Sequence, residues 1–453
     1  MASQQFLGQI LQVSSSAANN NDVSSQLAEL LSVDLSRSST SAQVGALQGA
    51  LSGATDAQLL KTVEDQKLFD GDWPAFESTV VSYLKYCRDL DPWSILKSHD
   101  LILTFFNDLA VAFMNTMHGN QLSTVMYNTV RYMMPLVKRV DVVLNAAVPG
   151  KKFKRLIFVS SVLSKLFNHV RALKGRSSKK VLTLFIANNL NKIYFIIDSP
   201  LLCQNIFANM NLLDHKFSQY PKAQQVEYRY ILGRYYLIKN QIINSFTHLN
   251  WAFTHAPRSE QKNILKILRY LIPVSLLAGR IPSKRVITQY PELHHHYTPL
   301  IIHMKTGNLF AFEQHLSQNQ EYFKQKHILI LLAQRSRILI FRNLFLNVQR
   351  THPTSNRLTF IELQAALRKS IRSPQEQQHA FNDQFLYQTL DESVDIPFVE
   401  NVCSSLIENY LMKGNLATKN QLVVLSRSDG FPDVFSTYQR IYGGGNGESW
   451  MDE

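Results

Sequence analysis

Apolar residues recur at helical spacing through most of this chain. Leu182, Phe185, Ile186, Leu190, Ile193 and Ile197 fall at offsets 0, 3, 4, 8, 11 and 15, one stripe down a single helix. Asp91-Pro92-Trp93 and Asp198-Ser199-Pro200 each place a capping side chain and a proline where a helix would start, and Leu101 to Phe113 continues the first as an apolar helix. Leu271 to Gly279 predicts a helix closed by a glycine. Phe360, Leu363 and Leu367 mark a short helix. Val399, Val402, Cys403, Leu406, Ile407, Tyr410 and Leu411 form one face of a stronger one, with Gly414 as its expected cap. Leu416-Ala417, a polar Lys419-Asn420-Gln421 turn and the run Leu422 to Leu425 then predict a two-stranded wing.

Arg229 to Pro257 has the spacing of one tetratricopeptide-like unit: Leu232-Gly233, Tyr236, Ser245, Leu249, Ala252, Pro257. Small residues at Gly233, Ser245 and Ala252 would let two antiparallel helices approach, with Tyr236 and Leu249 filling the space between. Ile301 to Phe323 repeats the layout around a Thr306-Gly307-Asn308 turn. Hairpins of this kind stack into a right-handed solenoid in which each covers its neighbour's apolar face. The expected fold class is all-α: a tetratricopeptide-like solenoid ending in a C-terminal winged helix. The expected organisation is a flexible segment over 1–70, rich in Ser, Ala, Gln and Asn, then the solenoid over 71–350. The winged helix follows over 351–430, with a polar insertion at 373–394, and a disordered tail over 431–453.

The chain has 453 residues and a formal net charge of +13. That balance speaks to partners: nucleic acid, an acidic protein or an anionic surface. Cys87, Cys203 and Cys403 lie far apart with no CxxC spacing, which fits a reducing compartment, cytosol or nucleus, without a disulfide framework or zinc site. No apolar run reaches the roughly 20 residues of a membrane span. A basic leader followed by an apolar core is not seen at the start of the sequence.

Several strings resemble a known family. YCRDLDPWS from Tyr86, SSVLSKLFN from Ser160, NNLNKIYFIIDSPLLCQNIF from Asn188, VEYRYILGRYYL from Val226, RYLIPVSLLAGRIP from Arg269 and Arg342-Asn343-Leu344 are similar to the PCI-domain subunit of the TREX-2 transcription-coupled mRNA export complex. The similarity runs over residues 80–430, and it is denser than the generic PCI pattern of solenoid plus winged helix. The resemblance implies a non-enzymatic scaffold that binds a large PCI-like scaffold subunit and a small acidic subunit shared with the proteasome lid. It implies a place in the nucleus, at the inner face of the nuclear pore. A relative associated with the signalosome shares the repeat, the Arg342-Asn343-Leu344 string and the wing. The alternative is therefore a signalosome- or splicing-linked subunit acting purely in protein interaction.

Basic residues cluster. Lys151 to Lys180 holds ten Lys or Arg and no Asp or Glu, and Lys324 to Arg350 holds six with none. Candidates for sequence-tolerant RNA or DNA binding are Lys413, Lys419, Arg427, Arg368, Lys369, Arg372 and Arg342, with Lys413 and Lys419 expected close together. The other reading of Arg335, Arg337 and Arg342, set among Leu and Ile, is structural. Arg229, Arg234, Lys239, Lys262, Lys266 and Arg269 are candidates for the acidic partner, or form a solvated face. Catalytic residues, metal and cofactor are expected to be none. GxSxG, GxxxxGK[ST], HExxH and a GxGxxG after a strand do not occur. His294, His295, His296 and His303 could suggest a metal-dependent hydrolase, but adjacent histidines on a helix cannot all face one ion.

Overall fold

Residues 2–15 and 23–70 are structured. The computed structural model describes residues 2–15, 23–147, 153–173, 178–213, 216–371, 394–443 and 448–451. It opens with helices α1 (Ala2–Ser15), α2 (Val23–Leu30), α3 (Ser38–Leu51) and α4 (Asp56–Glu64). This corrects the expectation of a flexible segment over 1–70. The polar composition concealed a sparse apolar face: Phe6, Leu7, Ile10, Val13, Leu27 and Leu31 are all buried. Helix α5 (Pro74–Asp89) anchors that face, where Tyr83 stacks on Phe6 at 5.7 Å and donates its hydroxyl to the Ser32 carbonyl at 3.0 Å. A reciprocal capping box of Thr55 and Gln58 fixes the start of α4.

The chain divides into two compact units, Met1–Tyr228 with Trp450–Glu453, and Arg229–Ser449. The division falls within a helix, not at the expected borders 70/71 and 350/351. The first unit continues with α6 (Ile95–Phe113), α7 (Ser123–Ala147), α8 (Lys154–Ala172), α9 (Thr183–Ile196), α10 (Cys203–Met210) and the first part of α11 (Lys222–Ile238). Asp91-Pro92-Trp93 makes a turn instead of a helix start: Asp91 Oδ1 accepts from the Trp93 amide, and the Ser98 hydroxyl accepts from the Asp91 amide at 2.9 Å. Pro200 does open a helix, a 3-10 turn over Pro200–Leu202 that leads into α10. The α9 stripe is buried at Leu182, Phe185, Ile186, Leu190 and Ile193, as its spacing required.

The second unit takes the rest of α11 and α12 (Ile242–His255). The close approach expected at Gly233 is real. A Cβ there would lie 2.7 Å from Leu249 Cγ, and Ser245 Oγ donates to the Gly233 carbonyl at 2.7 Å. Next come α13 (Gln261–Leu277), α14 (Lys284–Thr288), α15 (Pro291–Thr306), α16 (Leu309–Gln318), α17 (Gln320–Gln325) and α18 (Leu329–Thr351). Between α15 and α16, Gly307 takes the left-handed conformation at φ +77° and Asn308 caps α16 through its side chain. The Arg342-Asn343-Leu344 string on α18 clamps this corner. Asn343 donates to Met304 O at 2.9 Å, and Leu344 packs where a Cβ on Gly307 would stand.

The winged helix comprises β1 (Arg357–Thr359), α19 (Phe360–Ile371), α20 (Ile396–Glu408), β2 (Gly414–Ala417) and β3 (Leu422–Leu425). The sheet is antiparallel in the order β1-β3-β2, three strands where the sequence pattern gave two. Gly414 is not the cap of α20. The helix ends at Glu408, Tyr410 takes φ +57°, and the Leu411 amide returns to Leu406 O at 2.9 Å. Gly414 begins β2 instead, where a Cβ would meet Val424 O at 2.6 Å. The insertion at 373–394 falls almost wholly outside the described residues. The expectation of a disordered tail is corrected over α21 (Val434–Tyr442). Phe435 packs edge-on to Phe246 and beneath the Arg280 guanidinium, and Val434 fills the space beside Gly279. No described helix is long and apolar enough to cross a membrane.

Candidate nucleic-acid and partner interface

The wing carries its cations at two places. Lys413 stands at the base, where its carbonyl accepts from the Ser426 amide and its ammonium pairs with Asp429 at 3.1 Å. Arg427 leaves the hairpin beside it, exposed. Lys419 sits at the tip, in the 3-10 turn Thr418–Asn420. The expected juxtaposition of Lys413 and Lys419 is therefore corrected: β2, roughly 13 Å of extended chain, lies between them. On α19, Lys369 is exposed, and Arg368 is exposed but donates to Val394 O at 3.2 Å. Arg372 lies outside the described residues. Sequence reasoning missed Arg357, exposed on β1 opposite Val424. Its signal was hidden because a three-residue strand is too short to show a period.

Arg342 is not available to phosphate. It is 8 % exposed, and its guanidinium donates to Phe431 O at 3.1 Å and Pro432 O at 2.7 Å. Burial lowers its pKa from the ordinary guanidinium value, and Asp433 opposes that shift. Arg342 instead fixes the loop that leads into α21. Lys179, in the basic run Lys151 to Lys180, is also structural. Its ammonium is buried over the Phe113 ring, donates to Asn115 O at 2.7 Å and neutralises the carbonyl end of α6. Burial depresses its pKa to about 8.

The solenoid candidates separate in the same way. Arg229 is buried at 2 %, bonded to His248 Nδ1 at 3.1 Å and stacked on Trp251, so it is corrected from a partner contact to a core cation. Glu448 already faces this group, accepting from Tyr236 and pairing with His248 Nε2 at 2.7 Å. Arg269 forms a two-pronged pair with Glu292, at 2.8 and 2.7 Å. That pairing lowers the Glu292 pKa and raises that of Arg269. Arg234 lies half-buried over Tyr230 and Tyr270. Lys239, Lys262 and Lys266 are exposed.

The histidines are dispersed by packing. His294 and His295 are exposed, while His296 stacks on Tyr322 at 3.7 Å. Burial lowers the His296 and His303 pKa values. All three cysteines are buried, and burial pushes the Cys87 and Cys403 thiols up to about 12. Thiolate is the reactive form. Native protein should therefore show no fast phase with an aromatic disulfide reagent, and all three thiols should react once guanidinium unfolds the chain. A fast thiol in native protein would contradict the buried placement.

A helical-hairpin body that runs into a three-stranded winged helix defines the class of PCI-domain proteins. No family model matches the chain, but individual proteins do. It is 31% identical over 418 residues to the nuclear mRNA export protein THP1 of Saccharomyces cerevisiae, covering 87% of this chain and 90% of that protein. It is 29% identical over 262 residues to PCI domain-containing protein 2 of Danio rerio, 57% of this chain and 59% of that one. A CSN12 homolog of Gibberella zeae is 30% identical over 271 residues, 56% of each. The chain belongs to the PCI-domain family represented by the nuclear mRNA export protein and its relatives.

Proposed function

We propose that this chain is a non-enzymatic scaffold subunit of a nuclear mRNA export complex of the TREX-2 type. The observation that carries the reading is the similarity to the yeast export protein along nearly the whole of both chains. In this reading it binds a large PCI-like scaffold subunit and a small acidic subunit, and it acts in the nucleus at the inner face of the pore. Lys239, Lys262 and Lys266 are exposed cations offered to an acidic partner, and the half-buried Arg234, seated over Tyr230 and Tyr270, stays a candidate beside them. The winged helix adds a basic surface from Lys413, Arg427, Lys419, Lys369, Arg368 and Arg357. Arg372 remains a proposed member. RNA or DNA would be held through phosphates, without base readout. Similarity to the CSN12 homolog favours a second reading, a signalosome- or splicing-linked subunit working through protein contacts alone.

Affinity purification separates the two: an export scaffold with a small acidic protein supports the first, and signalosome subunits without that scaffold support the second. Reversing Lys413, Lys419 and Arg427 to Glu tests the basic surface. Removing three phosphate contacts should weaken RNA binding by about tenfold or more and reduce the slope of log affinity against log salt by about 2. An unchanged affinity and slope, with complex formation also intact, would remove the wing from the binding surface.

A further inference from the structure

One side chain in the first unit is held like a ligand. Trp450 is 8 % exposed and Met451 5 %, both in the single 3-10 turn Ser449–Met451. The indole N–H donates to Asn211 Oδ1 at 2.8 Å. The ring meets Phe217 edge-on at 5.2 Å and Tyr228 edge-on at 5.9 Å. The walls of this recess support each other without it. Phe217 packs on Tyr228 at 6.0 Å, and Tyr228 is edge-on to Phe207 at 5.5 Å. The recess thus combines aromatic walls that also pack on one another with one polar group placed for an indole N–H, a combination that selects tryptophan over phenylalanine.

We propose that the recess of Asn211, Phe217 and Tyr228 is a tryptophan-binding site which the chain's own Trp450 segment fills as a displaceable plug. A segment tethered in this way competes at an effective concentration near millimolar, so any rival must bring its own indole and outlast it.

The test uses a fluorescent peptide of this chain's residues 447–453. Its anisotropy is read against the full chain, the chain ending at Gly443, and full-length Trp450→Ala. The peptide should bind the shortened chain and Trp450→Ala, and bind the unaltered chain about tenfold or more weakly. The same peptide with Trp replaced by Phe should bind none of them well, and Asn211→Ala added to Trp450→Ala should abolish capture. Equal binding to all proteins would overturn the proposal. So would no binding to either opened protein while both melt like the unaltered chain, because Trp450 would then be only a core residue. If the shortened chain does not fold, Trp450→Ala decides. If both fail to fold, the segment is an obligatory part of the unit and the plug is refuted.

Discussion

Gly307→Val is expected to destabilise the second unit by about 3–4 kcal/mol, the sum of a left-handed conformation forced on a β-branched residue and an overpacked contact. The backbone there is at φ +77°, and a Cβ would lie 2.7 Å from the Leu344 Cα, which is main chain on α18 and cannot rotate aside. The same corner holds a hydrogen-bonded knot. Ser370 Oγ donates to Gly307 O at 2.6 Å and accepts from the Leu309 amide at 3.1 Å. Forcing Leu344 away would pull on α19 as well as α16. The urea midpoint should fall, with hydrogen exchange accelerating first in α15, α16 and α18. Gly53→Ala is the control. It too has positive φ, +87°, but nothing lies within 4 Å of its Cβ position, so only a backbone cost of about 1 kcal/mol is expected. Equal effects from the two substitutions would show that Leu344 does not restrict Gly307.

Arg342→Met should cost about 3 kcal/mol. Methionine keeps most of the buried stem, but the carbonyls of Phe431 and Pro432 lose a charged donor where water is largely excluded. Arg342→Lys should recover only part, because a single ammonium does not match the two-carbonyl fork. Exchange protection should be lost in the 431–442 region before the rest of the winged helix. RNA affinity per folded molecule should not change. A weakened affinity at unchanged stability would return Arg342 to the binding surface.

Helices whose apolar residues repeat over several turns were legible: α9, α13, α19 and α20 lie where their stripes put them. Gly233 and Gly307 were legible too, because small residues at fixed offsets around a hairpin carry a steric meaning. The N-terminal helices were not. Each buries only a handful of apolar side chains, α3 and α4 against α5 and α2 against α7, and the Ser and Gln between them read as low complexity. Strand β1 escaped for lack of length, and with it Arg357. The candidate cations were found as residue types, but their burial was not: nothing in the sequence separates a guanidinium left exposed after a strand, like Arg427, from one on a helix buried against two backbone carbonyls, like Arg342. The strings that suggested the family were read largely through structural residues. Arg342-Asn343-Leu344 is a corner clamp, and VEYRYILGRYYL contains the Gly233 contact and the buried Arg229.

The burial of Cys87, Cys203 and Cys403 has a practical side. With the native thiols silent in the folded protein, a single Asn420→Cys at the wing tip would accept a maleimide dye with the wild-type background left intact. The same would hold for a cysteine at Lys239 on the solenoid. One chemistry could thus place reporters on the proposed nucleic-acid face and the proposed partner face in turn, and record in real time which of them is covered first as a complex assembles.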